Sequence, residues 1–377
     1  MDERVREHAV VLVDWSAQVD PGDHVVVSVA EDAHELGVAV AEALGERGAN
    51  VTTLYGSDEV GRAYLKGAEA GADGDVPDFE ADPAVDLAIV ETADVYLRLG
   101  GGRNTAAAAD VDRETRQAYA RANKGVREAR MDTDWVSTVH PTRSLAQQAG
   151  MAYEEYRDFV YDAVLRDWEA LAAEMAEMKA VLDDGDEVRI VTEREDDPDT
   201  DLRMSIAGRT AVNSAASVAY DSHNLPSGEV FTAPYDTEGE VFFDVPMTIE
   251  STRVRNVRLV FEDGEVVDFS AEAGEDALAG VLDTDPGARR LGELGIGMNR
   301  GIDRFTDSIL FDEKMGDTVH LAVGRAYDAC LPEGEPGNDS AVHVDMISDV
   351  RANSTMTVDG EVVQRDGTFR WEDGFEG

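Results

Sequence analysis

The sequence contains very little of several residue types, and each scarcity excludes a class of protein. Cys330 is the single cysteine among 377 residues, so an intramolecular disulfide is excluded and a reducing, cytoplasmic setting is expected. No apolar run approaches the ~18 residues of a membrane span, and the N-terminus lacks the pattern of a signal peptide. We therefore expect a cytoplasmic protein with no membrane partner.

Basic residues are scarce as well. The chain has 33 Lys and Arg against 80 Asp and Glu, a formal net charge of −47. Phosphate recognition and docking on anionic lipid both require basic surfaces, so nucleic-acid and membrane partners are not expected. Disorder is not expected either, because 43% of the residues are hydrophobic and fall in periodic runs. Only four residues are lysines, and an acidic, lysine-poor folded chain resembles proteins of salt-loving archaea.

The first half alternates strand and helix patterns. The pattern predicts strands at 25–29, 51–55 and 87–90, with a helix over 33–44 between the first two. Single longer helices are predicted over 113–130 and 153–182. This order favours an α/β domain with a parallel sheet, which we place at residues 1–185.

The character of the sequence changes near 183–187. Strand patterns at 187–192 and 202–206 follow, and Asp263-Gly264 and Asp359-Gly360 are each typical of a hairpin turn between two strands. We therefore predict a mixed α+β, antiparallel-rich domain over residues 186–377. The two domains together place the chain in the α/β class.

Several common catalytic motifs are missing from the sequence. The glycine-rich segment 99–103 is not followed by a Walker Lys-Ser/Thr pair, and the first strand–helix junction lacks the dinucleotide-binding glycines. Neither His-Glu-x-x-His nor Gly-x-Ser-x-Gly occurs. Cys330 has no basic neighbourhood, so we interpret it as a structural residue.

Four polar residues stand out because of their surroundings. His343 and Asp345 alternate along a predicted strand, which puts both side chains on one face and suits a divalent cation. A solvated polar strand face is the alternative. Glu229 and Glu293 lie in apolar, glycine-punctuated stretches, where a buried carboxylate is costly unless it is paired or bound to a metal.

These residues fall within a longer series of motifs. In chain order the series is Asn-x-Pro-x-Gly-Glu-Val-Phe-Thr-Ala-Pro, Leu-Gly-Glu, Leu-Phe-Asp-Glu, His-Leu-Ala-x-Gly-Arg-Ala-Tyr and His-x-Asp. Together with Val-Asp-Pro-Gly-Asp and His140-Pro141-Thr142 near the N-terminal half, it resembles the aminopeptidase T and aminopeptidase S family of metallopeptidases. The resemblance covers nearly the whole chain.

The resemblance implies a set of site residues. Those that match the family's metal ligands are Glu229, Glu293, His320, His343 and Asp345. Glu293 matches the carboxylate between the two metals, and Tyr327 matches the active-site tyrosine, which a bend at Gly324 would bring to the same face. Glu313 is a further candidate ligand, but about two extra residues separate its motif from His320. His223 matches no ligand, and we interpret it as a surface turn residue.

The resemblance also implies a function. We expect an aminopeptidase that cleaves the N-terminal peptide bond of short peptides, with a water activated by two divalent ions (Zn, Co, Mn or Mg). The substrate would be a peptide with a free N-terminus, and the enzyme would be a homodimer. The alternatives are another paired-metal amidohydrolase acting on non-peptide amides, or a non-catalytic family member.

Overall fold

A computed structural model describes residues 1–249 and 252–376, which divide into two compact units. Unit 1 comprises 1–165 and 216–226, and unit 2 comprises 166–215 and 227 onwards. The predicted boundary between residues 185 and 186 lies inside unit 2 by this division, because the helix that precedes it clusters with unit 2. Where the chain divides into independently folding domains stays a prediction.

Unit 1 is built on a parallel sheet of five strands. Their spatial order is β2-β1-β3-β4-β8, with every neighbouring pair parallel. The strands are β1 His24–Ala30, β2 Asn50–Gly56, β3 Val95–Gly100, β4 Asp134–Val139 and β8 Asn224–Leu225. The helices are α1 Glu3–Val10, α2 His34–Arg47, α3 Asp58–Gly71, α4 Ala84–Glu91, α5 Arg113–Ala122, α6 Lys124–Met131, α7 Arg143–Gln148 and α8 Tyr153–Val164. The prediction of a parallel α/β half is confirmed.

Three local predictions in the first part of the chain are wrong. The run 87–90 lies in helix α4, and the third strand is β3. A run of four apolar residues fits either element, and Pro83 at the start of α4 favours a helix. The helix predicted over 113–130 breaks at Asn123, and the one over 153–182 breaks between α8 and the next helix.

Over residues 166–215, 227–249 and 252–376, unit 2 contains three α-helices and two sheets. The helices are α9 Trp168–Asp184, α10 Glu275–Leu282 and α11 Ile309–Asp312. The larger sheet has nine strands: β5 Glu187–Thr192, β6 Thr200–Ser205, β10 Tyr235–Phe243, β11 Met247–Ile249, β12 Thr252–Glu262, β13 Glu265–Ala273, β17 Ser354–Val358, β18 Glu361–Arg365 and β19 Thr368–Phe369. The smaller sheet, ordered β16-β15-β14-β9-β7, comprises β7 Val212–Ser214, β9 Glu229–Thr232, β14 Leu291–Gly297, β15 Thr318–Gly324 and β16 His343–Asp349.

Both predicted hairpin turns are present in unit 2. Asp263-Gly264 joins β12 to β13, and Asp359-Gly360 joins β17 to β18. All four residues have positive φ, between 52° and 81°. Positive φ at both central positions matches the right-handed twist of the strands, and Asp-Gly tolerates it well. The pairs of the smaller sheet are also antiparallel, so the expectation of an antiparallel-rich second half is confirmed.

None of the helices in the two described stretches is both long and apolar enough to cross a membrane.

Candidate metal centre

One face of the smaller sheet in unit 2 collects the polar residues singled out in the sequence. Asp345 and Glu293 both pair with Ala322 of strand β15, from opposite sides, because β15 lies between β16 and β14. His320 lies two residues earlier on β15, and Glu229 pairs with the end of β14. Because side chains alternate along a strand, this register directs these side chains to the same face.

Glu293 lies between two histidines. Its Oε1 is 3.1 Å from Nε2 of His320, and its Oε2 is 3.2 Å from Nε2 of His343. Two groups of possible ligand atoms therefore share this carboxylate, each group lying within 4.8 Å: Glu229, Glu293 and His320 in one, and Glu293, His343 and Asp345 in the other. A carboxylate with one oxygen in each group has the geometry of a bridging ligand.

Unused hydrogen-bonding capacity shows that these residues fit divalent cations. Glu229 is only 6% exposed, and its buried Oε2 has no hydrogen-bond partner among the described residues, although it lies 3.6 Å from Nε2 of His320. A buried carboxylate oxygen without a partner is costly, and a cation would satisfy it. Imidazole nitrogens and carboxylate oxygens are also the ligands that zinc and similar ions take.

The glycines of β14 make room for this arrangement. A Cβ built on Gly295 would lie 2.0 Å from Cε1 and Nε2 of the His320 ring, which is far inside van der Waals contact. Only glycine at this position leaves room for the imidazole. Gly295 is therefore explained by the space that the histidine needs, whereas Gly292 and Gly297 of the same strand lie against backbone carbonyl oxygens.

The histidines are held by the carboxylates and the backbone. The Nδ1 of His343 lies 2.8 Å from the carbonyl oxygen of Arg325, and a hydrogen bond donated there leaves Nε2 free to act as a ligand. Burial lowers the pKa of His343, but the carboxylates of Asp345 and Glu293 outweigh it and raise that pKa to about 11. Burial likewise lowers the pKa of His320, and Glu293 with Glu229 raises it above its ordinary value.

The carboxylates respond in the opposite direction. Burial alone would raise the pKa of Glu293, but hydrogen bonds from His320 and His343 hold it below its ordinary value. Burial would likewise raise the pKa of Asp345, but the hydrogen bond with His343 outweighs it and lowers that pKa. Without a bound ion, the centre is therefore a cluster of anionic carboxylates paired with protonated histidines. A divalent cation would take the place of the protons on those histidines.

Glu313 does not join either group among the described residues, and the structure places it beside a lysine instead. Its carboxylate contacts the Nζ of Lys314, and that ammonium also lies 3.4 Å from Oε1 of Glu229. The Lys314 side chain is completely buried. Sequence reasoning missed this lysine, although it is one of only four in the chain and directly follows a candidate ligand.

Tyr327 lies beside the centre, as expected from the motif. Strand β15 ends at Gly324, which has φ +106°, and the chain turns there. The Tyr327 ring then packs against His343 at 5.0 Å and Phe231 at 5.6 Å between ring centres. Burial raises the pKa of its phenol, so the hydroxyl keeps its proton at neutral pH.

Two other sequence interpretations are resolved by the structure. His223 lies two residues after the turn at Asp221 and its side chain is 25% exposed, but it is also packed: its ring stacks on Trp135 at 4.5 Å and its Nδ1 lies 2.9 Å from the Trp135 carbonyl oxygen. Cys330 is buried, and burial raises the pKa of its thiol to about 12. The thiol stays protonated at neutral pH, which agrees with a structural role.

Two carboxylate–histidine groups that share one glutamate are typical of metal-dependent hydrolases. Comparison with known families agrees with this class. The family described as thermophilic metalloprotease (M29) matches residues 1–369, and the chain therefore belongs to it. It is a hydrolase of the metalloenzyme type, and the resemblance inferred from the motifs is confirmed.

Individual relatives cover almost the same length. Aminopeptidase T of Thermus thermophilus is 29% identical, with 93% of this chain and 92% of the relative covered. Aminopeptidase AmpS of Bacillus subtilis is 26% identical, with 95% and 94% covered. The solved structure described as wild-type AmpT from Thermus thermophilus superposes with a TM-score of 0.82 at 27% identity, covering 98% of this chain and 99% of that one. The predicted fold class is confirmed by this similarity.

Proposed function

We propose that this chain is a metallo-aminopeptidase that releases the N-terminal residue of short peptides at a centre holding two divalent ions. The observation that carries the proposal is the position of Glu293, with one oxygen 3.1 Å from His320 and the other 3.2 Å from His343. Glu229 would complete the ligands of one ion, and Asp345 those of the other. The relatives named as aminopeptidases support the same activity.

The ions, held by Glu229, Glu293, His320, His343 and Asp345, would supply Lewis acidity and would lower the pKa of a bound water molecule. The protein residues do the rest. Glu293 orients both halves of the centre through its two oxygens, and Tyr327 donates its phenolic proton in a hydrogen bond to the oxyanion that develops on the scissile carbonyl. The free α-amino group of the substrate would bind within the same anionic cluster, which restricts cleavage to the first residue.

Metal analysis with matched reporters tests the proposal. We expect close to two divalent ions per purified chain, and cleavage of a leucyl anilide in high salt that a chelator abolishes. N-acetyl-leucyl anilide should resist cleavage, because it lacks the free amine. Equal cleavage of both reporters would instead indicate a paired-metal amidohydrolase of wider scope, and activity without metal would overturn the mechanism.

A variant of the shared carboxylate provides the matched control. Glu293→Ala should abolish cleavage of the leucyl anilide without unfolding the chain, since it removes a ligand from both ions. Glu361→Ala changes a glutamate whose side chain is 81% exposed and should leave the rate unchanged. Near wild-type turnover by Glu293→Ala with metals supplied would contradict the assignment.

A further inference from the structure

A cavity of about 570 Å³ adjoins the metal centre in unit 2. His343 and Asp345 form part of its wall, so the cavity lies directly beside the ligand group of Glu293, His343 and Asp345. Its volume falls in the range of small-molecule sites, about 300–1,000 Å³. The proposed function does not use this space.

The rest of the wall is largely apolar. Its hydrophobic members come from β11, α10, the loop before α11, α11 and β16, and they include Met247, Ile249, Val281, Phe305, Ile309 and Ile347. Such a wall gains free energy by covering an apolar group and gives a charged group no compensation.

Two acidic residues also line the cavity, but both carboxylates are already engaged. Asp307 pairs with Arg253 at 2.8 Å and accepts a hydrogen bond from the Thr248 hydroxyl at 2.9 Å. Asp312 accepts hydrogen bonds from the backbone N–H and the hydroxyl of Thr306, at 2.8 and 2.7 Å. Arg253 already balances the charge of Asp307, and the contacts of Asp312 occupy part of its accepting capacity, so both carboxylates are weakened as partners for a basic side chain.

We infer that this cavity receives the side chain of the substrate's first residue and selects large apolar side chains. The inference rests on the proposed function. The first residue carries both the α-amine and the scissile carbonyl, and both groups are anchored at the ions. Its side chain is therefore the part of the substrate held nearest to His343 and Asp345.

The test compares leucyl, alanyl and lysyl anilides in high salt with metal supplied. For the parent enzyme we expect kcat/KM for leucine to exceed that for alanine by at least about tenfold, because an unfilled apolar pocket costs that much or more. Ile309→Asp introduces a charge at a residue that is 53% exposed, so folding should be preserved. This variant should lower the leucyl rate about tenfold, change the alanyl rate less than about twofold and raise the lysyl rate relative to leucine.

Two further variants make the result specific. Val267→Asp places the same charge on a residue that is 52% exposed and lies outside the cavity wall, and it should not change the leucine-to-alanine ratio. Ile309→Ala should lower the leucyl rate less than Ile309→Asp does. An unchanged leucine-to-alanine ratio in Ile309→Asp would overturn the inference.

Size-exclusion chromatography distinguishes another occupant of the cavity. If Ile309→Asp separates a dimer into monomers and leaves the substrate preference intact, the cavity is a contact between copies of this chain and the inference is wrong. If the metal-loaded parent cleaves none of the aminoacyl reporters, the proposed function itself is refuted. That outcome differs from one in which the parent is active but shows no preference for leucine, which would refute only the inference about the cavity.

Discussion

At the scale of single residues, the buried ammonium of Lys314 affects Glu229 in two opposite ways. Its charge lowers the attraction of the centre for cations. Its position, 3.4 Å from Oε1, fixes the carboxylate so that Oε2 faces His320. Groups that orient a metal ligand typically contribute 10- to 100-fold to metal affinity. We expect this orienting effect to outweigh the repulsion, because without the lysine Glu229 and Glu313 would repel each other.

Lys314→Met tests whether the orientation of Glu229 outweighs the repulsion of cations, since methionine fills a similar volume without the charge. We expect the affinity of the more weakly held of two divalent ions to fall by about tenfold or more, measured by calorimetric titration of the metal-free protein. Lys179→Met is the control, because Lys179 pairs with Asp183 on a partly exposed helix surface. Tighter metal binding by Lys314→Met would show that the charge effect prevails.

His8 gives a residue-scale prediction in unit 1. Its Nε2 lies 2.8 Å from the hydroxyl of Thr138, its Nδ1 has no hydrogen-bond partner in the part of the chain that the structure describes, and burial lowers its pKa to about 3. As the pH falls, His8 is therefore protonated in the unfolded chain at a higher pH than in the folded chain. The stability that His8 contributes is complete above pH 6.5 and is lost as the pH falls toward 3.

The free energy of unfolding in high salt measures this effect between pH 7 and 5. His8→Gln removes the titrating group, and we expect its stability to fall less steeply with decreasing pH than that of the parent, by up to about 1.4 kcal/mol per pH unit. His24→Gln changes an exposed histidine and should keep the slope of the parent. Equal slopes for His8→Gln and the parent would contradict the prediction.

At the scale of secondary-structure elements, β14 contributes the shared glutamate and the space for a ligand on its neighbour. Gly295→Ala tests the second contribution, because the added methyl group would overlap the His320 ring. We expect the ring to be displaced and turnover to fall on the order of 100-fold, since small misplacements of catalytic groups have effects of this size. Metal content and kcat for a leucyl anilide measure the change.

Gly280→Ala is the matched control for this substitution. Gly280 lies inside α10 with nothing within 4 Å of a built Cβ. Alanine there should stabilise the helix by up to about 1 kcal/mol and leave turnover unchanged. Parent-like metal content and turnover in Gly295→Ala would show that β14 tolerates a side chain under the histidine.

Elements were predictable from the sequence where local signals agreed. Strands β1 and β2 are β-branched runs bounded by turns, and both Asp-Gly hairpins follow from backbone geometry alone. The apolar run 87–90 fits a strand or a helix equally, and its packing in unit 1 decides for α4. No proline lies at the breaks after α5 and α8, and the helical periodicity continues across both. The sequence pattern therefore predicted one long helix in each place.

The candidate site was predictable only in part. The five residues of the two ligand groups were named from motifs, and pairing of strands β9, β14, β15 and β16 brings together these acids and histidines, which lie far apart in sequence. The contact of Glu313 with Lys314 was not predictable, because both residues lie in a turn, where no periodicity fixes the direction of a side chain. The apolar cavity was not predictable either, because its wall combines segments from residue 246 to residue 347.

At the scale of the whole molecule, the net charge of −47 is the dominant property. Repulsion among carboxylates destabilises the compact state at low ionic strength, and it weakens as the screening length falls to about 3 Å at 1 M salt. The halophilic origin, the cytoplasmic location and the homodimer remain predictions. A halophilic origin predicts that the folded chain is more stable in high salt.

We expect the melting temperature to rise by on the order of 10 °C between 0.1 and 2 M KCl, measured by the loss of circular dichroism. Sucrose at matched osmolality controls for exclusion from the protein surface and should raise the melting temperature less, because it does not screen charge. A melting temperature that stays constant or falls with KCl would show that the acidic surface needs no salt.

The hydrogen bond that orients His343 goes to the carbonyl oxygen of Arg325, which is a backbone atom. Any amino acid at position 325 presents that same acceptor, so this hydrogen bond does not depend on the Arg325 side chain. Gly324 is different, because it has φ +106° and a Cβ would lie 2.0 Å from the Val342 carbonyl oxygen. The orientation of a proposed ligand is thus set by the backbone path at one glycine, and not by the side chain of the residue that follows it.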